Sequence, residues 1–167
     1  MRDRCFGNNQ FLVVGRAGMD LYDDPPGTRV EEATHFYSAL GGSAANIAAA
    51  ITRLGGHTSL LTCISDDAIG RYVSAQLKEY EIEERYVFRQ GGQSRNSLAV
   101  VETRNEDCQS VIYRNGAADF QLSVSHVEKI DLEPFGALIV TGTCLALEPS
   151  RAAVFELLHR AKTAALP

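Results

Sequence analysis

At 167 residues the chain has the length of a single domain, able to bury roughly 70% of its unfolded surface without disulfide or metal staples. Its 45% hydrophobic and 22% charged residues are those of a globular protein and exclude disordered, collagen-like and coiled-coil architectures. A formal net charge of −5 with no basic run argues against a nucleic-acid surface, because phosphate backbones are met by clustered Lys and Arg. The longest apolar runs, such as Phe11 to Val14 and Ala137 to Val140, are far short of the roughly 20 residues that span a bilayer, so no membrane segment is expected. The start, Met1-Arg2-Asp3-Arg4, lacks the apolar core and cleavage site of a secretory signal, and a cytoplasmic location is the default expectation. Cys5, Cys63, Cys108 and Cys144 are scattered without a C-x-x-C pair and read as free, mostly buried thiols.

In chain order, Phe11-Leu12-Val13-Val14-Gly15 has the look of a central strand buried on both faces. The first secure helix starts only at Ser43, whereas βα connections usually take about 2–6 residues, so a small β-flap is expected between them. Its strand-like pieces are Leu21-Tyr22, Arg29-Val30 and the run from His35 to Leu40, separated by the breaker cluster Asp23-Asp24-Pro25-Pro26-Gly27. Ile47, Ile51 and Leu54 recur at helical spacing before Gly55-Gly56. Thr58 to Ile64 is a second buried strand, and Asp66-Asp67 supply an N-cap for a helix through about Tyr80. The alternation of strand and helix predicts a doubly wound, largely parallel sheet.

Further on, Tyr86-Val87-Phe88, Ser97 to Val101 and Ser110 to Tyr113 read as strands, with Arg104 to Asp107 as a hairpin tip. A short helix near Ser125 to Ile130, a fresh central strand from Ala137 to Thr141, and a last amphipathic helix from Pro149-Ser150 to about Ala165 complete the pattern. The whole of 1–167 is expected to form part of one domain. After that last helix a parallel sheet normally takes another strand, and Leu166-Pro167 offers none.

The most informative stretch is Gly41-Gly42-Ser43-Ala44-Ala45-Asn46. Two glycines permit close approach of a ligand to the backbone, the free N–H groups of a helix start favour oxygen-rich groups, and Asn46 offers both a donor and an acceptor. A polyol suits such a site; an ordinary glycine-led, alanine-rich core helix has the same pattern. Asp20 lies just beyond the first strand, at the carboxyl edge where open α/β sheets bind ligands, and its carboxylate can accept from two hydroxyls; a simple turn aspartate is the alternative. Right-handed crossover geometry is expected to bring Asp20 and Asn46 to one cavity beneath the flap. His35, His57, His126 and His159 have no metal-ligand spacing, and Ser43 has no nucleophile context, so neither a metal site nor a serine nucleophile is read here.

Gly41 to Asn46, Ala48, Arg53-Leu54-Gly55 and Ser65-Asp66-Asp67-Ala68-Ile69-Gly70-Arg71 together resemble the N-terminal signature of the ribokinase family, the phosphofructokinase-B type carbohydrate kinases. Within that family, Gly15 to Tyr22, Tyr113 to Asp119 and Val140-Thr141-Gly142-Thr143 are similar to the 5-dehydro-2-deoxygluconokinases of myo-inositol breakdown. The similarity runs from Phe11 to about Lys162.

The resemblance implies an α/β, ribokinase-like doubly wound fold whose inserted strands, approximately within 20–40 and 86–114, form a β-sheet lid. It implies a sugar held by Asp20, Gly41, Gly42 and Asn46, and, since an acidic sugar needs a cation, Arg114 on a strand facing it. A surface Arg114 paired with a carboxylate such as Glu102 is the alternative; Arg16 and Thr143 are weaker contacts. It also implies ATP and Mg2+ for the complete enzyme. The Gly-Ala-Gly-Asp motif with the catalytic base and anion hole, and most of the nucleotide site, are expected in a second half that is not in this sequence. No catalytic residue is therefore assigned, and the chain alone is expected to be inactive. The expected partners are a small sugar or sugar acid, such as 5-dehydro-2-deoxygluconate, and a second copy of the chain, paired through the lid. Other acceptors (2-dehydro-3-deoxygluconate, ribose, fructose) and a non-catalytic sugar-acid-binding or interaction module remain open.

Overall fold

The structure, a computed structural model, describes residues 8–167; Cys5 and the Met1 to Arg4 stretch lie outside the described residues. The strands are β1 (Gln10–Val14), β2 (Gly18–Asp24), β3 (His35–Gly41), β4 (His57–Ser65), β5 (Val87–Gln90), β6 (Leu98–Val101), β7 (Ser110–Tyr113) and β8 (Ala137–Val140). The helices are α1 (Ser43–Arg53), α2 (Ala68–Glu79), α3 (Val124–Val127) and α4 (Ser150–Thr163), with 3-10 turns at Ala118–Gln121 and Gly142–Leu145. Among the described residues no helix is long and apolar enough to cross a membrane.

The apolar runs form a four-stranded sheet in the order β5-β4-β1-β8, and all three of its pairings are parallel. Alternation along each strand sends side chains to opposite faces, and both faces are covered. Leu12, Val14, Leu61 and Cys63 meet Val127 of α3 and Val154 and Leu157 of α4. Val13, Leu60 and Ile64 meet Ala44, Ala45 and Ala48 of α1 and Val73 and Leu77 of α2. Each fully buried aliphatic side chain contributes about 1.5–3 kcal/mol relative to exposure, so these two layers hold the sheet. From β1 the chain moves to β4 and β5 on one side and later to β8 on the other. The order thus reverses at β1, and a crevice is expected beyond the carboxyl ends of β1 and β8.

The second sheet has the order β3-β2-β6-β7. β2 runs antiparallel to β3 and parallel to β6, and β6 runs antiparallel to β7. The expected flap is therefore there, but its parts differ from the sequence reading in two respects. Arg29-Val30 is a turn, with the Glu32 and Ala33 amides donating to the Arg29 carbonyl. The 86–114 stretch divides: β5 pairs with β4 in the central sheet, and only β6 and β7 join the second one. The short β-rich runs are alike in composition, so only the partner strand decides which sheet each joins.

Three buried polar side chains fasten the second sheet. Asn96 accepts from the Ser65 amide (2.6 Å) at the end of β4 and donates to the Ala17 carbonyl (3.2 Å) beyond β1. At the far end, Asp23 accepts from the Thr28 and Thr103 amides and the Thr103 hydroxyl. Glu102 accepts from the Val30 and Gln109 amides and from Arg104. Burial pushes the Asp23 carboxyl up, but the Thr103 and Thr28 hydrogen bonds outweigh it and the pKa falls below the ordinary value. The Val30 hydrogen bond foremost, opposed by burial and helped by Gln109 and Arg104, lowers Glu102 as well.

Lowered carboxyl pKa values stabilise the fold above the unfolded pKa, and that contribution is lost as pH falls through the folded value. Acidification below about pH 4 should therefore loosen the far end of the second sheet first. Hydrogen exchange followed by NMR should show the Thr28, Val30, Thr103 and Gln109 amides losing protection before those of β1 and β4. Simultaneous loss throughout the chain would contradict this.

Candidate functional site

Three chain segments converge beyond the carboxyl ends of β1 and β8. Gly15, φ +147°, follows β1 and leaves room for Thr141, whose Oγ1 donates to the Val14 carbonyl (3.2 Å). The Thr141 and Thr143 hydroxyls are 2.9 Å apart, and Thr143 meets the Ser43 hydroxyl at 3.3 Å. Ser43 is the first residue of α1, whose start at Gly42 has no side-chain cap. That end keeps a positive partial charge and N–H groups suited to oxygen-rich ligands.

The two glycines ahead of α1 are required by contact. A Cβ on Gly41 would overlap the Asp20 carboxylate, and one on Gly42 (φ +103°) would overlap the Arg16 carbonyl. β2 and β3 thus press Asp20 against Gly41, two residues from its direct cross-strand partner Ala39. Asp20 remains 13% exposed, and its Oδ1 lies 3.4 Å from the Arg16 guanidinium. Arg16 is buried and donates from Nε to the Ser97 hydroxyl at 2.6 Å. It therefore lies beneath Asp20, held by the root of β6. Tyr22 shares Asp20's face of β2 and stacks on Tyr37 with ring centroids 5.2 Å apart. Burial first, then the Asp20 charge and Tyr37, raise the Tyr22 pKa, so its hydroxyl stays protonated.

Arg114 reaches the same edge from beyond β7, but not as a free cation. Its Nε donates to Asp119 Oδ2 at 3.1 Å, its Nη2 donates to the same oxygen, and Nη2 also donates to the Thr143 carbonyl at 2.8 Å. The Phe120 ring centroid lies 4.0 Å from the guanidinium carbon. The partner is not Glu102, which is taken by Arg104. Asp119 arrives on the 3-10 turn Ala118–Gln121, packed beneath the end of β4 near Cys63 and Cys144. Burial pushes the Cys63 thiol up to about 12 and also raises Cys144, so neither is a nucleophile at neutral pH. Cys63 and Cys144 are the buried thiols anticipated from the sequence, while Cys108 is exposed.

Asn46 is exposed in the first turns of α1, its amide donating to the Gly42 carbonyl (2.9 Å). It lines a cavity of about 420 Å³ with Leu40, Ala49, Ala50, Arg53, Leu54 and Tyr80. Asp20 is not among the walls of that cavity. Asp20 lies against Gly41, Arg114 reaches Ser43 by way of Thr143, and Asn46 stands one turn along α1. Sequence reasoning missed Asp119, Asn96 and Ser97, each of which acts through a partner 5 to 81 residues away. The one local signal was an acidic residue five positions after Arg114, a spacing that no regular element requires.

The family model described as pfkB family carbohydrate kinase matches residues 8–166. The chain belongs to the pfkB family. A 5-dehydro-2-deoxygluconokinase of Photobacterium profundum is 38% identical over 151 residues, which is 90% of this chain and 46% of that protein. A 5-dehydro-2-deoxygluconokinase of Bacillus thuringiensis subsp. konkukian is 35% identical over 159 residues, 93% of this chain and 48% of that protein. The chain therefore spans about half the length of the curated relatives it matches. Among solved structures, a 2-dehydro-3-deoxygluconokinase from Thermotoga maritima superposes with a TM-score of 0.83 at 19% identity, over 94% of this chain and 48% of that one. That likeness establishes the ribokinase-like fold, and as in that fold this pfkB chain carries a parallel sheet with a second, mixed sheet beside it.

The contacts at Gly42 give a direct check of the site's construction. Gly55 also has a positive φ (+88°), but a Cβ there would meet nothing within 4 Å. Gly55→Ala should cost only the left-handed backbone penalty, about 1–2 kcal/mol. Gly42→Ala should cost about 1–3 kcal/mol more, because the added methyl displaces the Arg16 carbonyl. Thermal denaturation of the two variants side by side measures the difference, and equal losses would contradict the close approach.

Proposed function

We propose that this chain is the sugar-binding half of a cytoplasmic, ATP-dependent carbohydrate kinase that phosphorylates a keto-deoxy sugar acid such as 5-dehydro-2-deoxygluconate, in myo-inositol breakdown, with the second sheet as its lid. The observation that carries the reading is that an acidic and a basic side chain both border the start of α1, Asp20 against Gly41 and Arg114 by way of Thr143, whose hydroxyl meets Ser43. The Asp20 carboxylate, against Gly41, supplies an acceptor for sugar hydroxyls, and the Arg114 guanidinium, on the Thr143 carbonyl, supplies a cation for a carboxylate. The 5-dehydro-2-deoxygluconokinase relatives support the choice of sugar acid.

In this reading Gly41 and Gly42 admit the sugar close to the backbone, Asp20 orients two hydroxyls, Asn46 donates and accepts at the rim, and Arg114 meets the acid group. ATP with Mg2+ would supply the phosphoryl group and the charge neutralisation of its transfer in the complete enzyme. Among the described residues no group of three or more His, Cys, Asp or Glu side chains is gathered to hold a metal. We assign this chain neither a metal ligand nor a catalytic base.

One observation favours a second reading, in which the acceptor is an uncharged sugar: Asp119 already pairs with Arg114. Calorimetric titration of the chain with 5-dehydro-2-deoxy-D-gluconate, D-ribose and D-fructose separates the two. The first reading expects the acid to bind about tenfold or more tightly than either neutral sugar, since charge-assisted hydrogen bonds are about twice as strong as neutral ones. It also expects no ADP release with ATP present. Equal affinities would select the uncharged sugar, and sugar-dependent ADP release would overturn the assignment of the base to the other half.

We also infer that the partner of the second sheet is another copy of this chain. Its edge strands leave Phe36, Tyr37, Val111, Ile112 and Tyr113 exposed, Tyr113 by 61%. Open, apolar strand edges favour pairing. Sedimentation equilibrium at micromolar concentration should report a dimer, and Ile112→Lys should shift it toward monomer. A monomer for the unmodified chain would contradict the inference.

A further inference from the structure

We propose that Asp119 is a positioning residue, which fixes the Arg114 guanidinium so that an acidic ligand meets a preformed, immobile cation. The proposal rests on the reading of Arg114 as the contact for a sugar carboxylate.

Arg114 is held on three sides. Its Nε and Nη2 both donate to one oxygen of Asp119, Nη2 also donates to the Thr143 carbonyl, and the Phe120 ring covers one face of the guanidinium. Among the described residues Nη1 makes no hydrogen bond, so its two N–H donors are the part of the fork left for a ligand. The side chains are 17% and 4% exposed for Arg114 and Asp119, and Asp119 Oδ1 is buried without a partner. A swing of Arg114 away from Asp119 would leave a buried carboxylate with neither of its oxygens bonded, a strongly unfavourable state. The guanidinium therefore cannot serve as a mobile arm, and the ligand must come to it.

The clamp also sets the register. Thr143, which receives Nη2 through its carbonyl, touches Ser43 and Thr141 through its hydroxyl. Arg114 is thereby fixed relative to the end of β8 and the start of α1, the two elements that border the candidate site. Such alignment lowers the ordering cost of binding.

Two effects of Asp119 oppose each other, and their balance makes the proposal testable. Its negative charge repels an acidic ligand, whereas its hydrogen bonds hold Arg114 in place. If charge dominated, Asp119→Asn would tighten binding of an acid; if positioning dominates, as proposed, the substitution weakens it. D-gluconate and D-glucitol, which differ in a terminal carboxylate against a hydroxymethyl, are the probes, titrated calorimetrically into the 167-residue chain.

Arg114→Ala is expected to weaken gluconate binding about tenfold or more and to leave glucitol unchanged. Asp119→Asn is expected to do the same, and the double variant to be no weaker than Arg114→Ala alone. A merely structural Asp119 would instead lower both probes together. Should Asp119→Asn fail to fold, the unmodified chain still decides: the Arg114 Nε–H NMR signal should be protected from solvent exchange and shift on adding gluconate but not glucitol. Unchanged gluconate binding in Arg114→Ala, or no gluconate binding by the unmodified chain, overturns the reading of the site. Weaker binding in Arg114→Ala with unchanged or tighter binding in Asp119→Asn, or a rapidly exchanging Nε–H, overturns the positioning role alone.

Discussion

Everything at the carboxyl edge depends on the close approach at Gly41-Gly42 of the Asp20 side chain and the Arg16 backbone. The Arg16 carbonyl and the Asp20 carboxylate occupy the space where side chains would otherwise stand. With both glycines in place, β3 enters α1 without a spacer, and the uncapped helix start lies directly beside β1 and β8. A Cβ on Gly42 would displace the Arg16 carbonyl on the link between β1 and β2, and one on Gly41 would displace the Asp20 carboxylate within the second sheet. The Asn96 bridge between Ser65 and Ala17 and the Arg16 hydrogen bond to Ser97 act at the same junction. They tie the second sheet to the ends of β1 and β4.

Acidic residues with internal partners do two different jobs in this molecule. Asp23, Glu102 and Asp67 accept backbone N–H groups, in the last case those of Ile69 and Gly70 at the start of α2. Burial pushes Asp67 up, but the Gly70, Ser65 and Ile69 hydrogen bonds and Arg95 bring it below its ordinary value. These carboxylates are local fasteners whose charge is absorbed by the chain. Asp20 and Asp119 instead face guanidinium groups, Arg16 and Arg114. The Arg16 pair is long and leaves Asp20 partly exposed, which suits an acceptor of hydroxyls. The Arg114 pair is tight and nearly closed, which suits a fixed cation. The asymmetry gives the edge an acceptor side and a donor side, a useful property for a ligand that carries both hydroxyls and an acid group.

In the proposed reading, the acceptor side of this edge, Asp20 on β2 with Gly41 and Asn46, comes from the strands and first helix of the pfkB chain. Its central sheet has helices on both faces, whereas among the described residues helices reach the second sheet only along β2 and β3. Phe36 and Tyr37 at the outer end of β3 and Val111, Ile112 and Tyr113 of β7 remain exposed, while Leu40 of β3 and the aliphatic residues of β1 and β4 join the core.

The sequence by itself determined the central layer. Aliphatic runs at Phe11 to Val14 and Thr58 to Ile64 cannot be satisfied in water, and their spacing from alanine-rich and amphipathic helices leaves a parallel, doubly wound sheet as the one economical arrangement. Local chemistry likewise determined the starts of α1 and α2, because glycine pairs and capping aspartates act on residues within a turn of themselves. The family resemblance added the expected roles of Asp20, in the Gly15 to Tyr22 stretch, and of Gly41, Gly42 and Asn46, which lie in one short signature. Only the tertiary structure decided which sheet received Val87–Gln90, that Arg29-Val30 turns, and that Arg114 pairs with Asp119 rather than Glu102. Short β-rich segments and surface-type charges carry no local mark of their partners. A strand pairing or an ion pair is fixed by whichever group the rest of the fold brings within about 3 Å, and that distance is set by packing elsewhere in the chain.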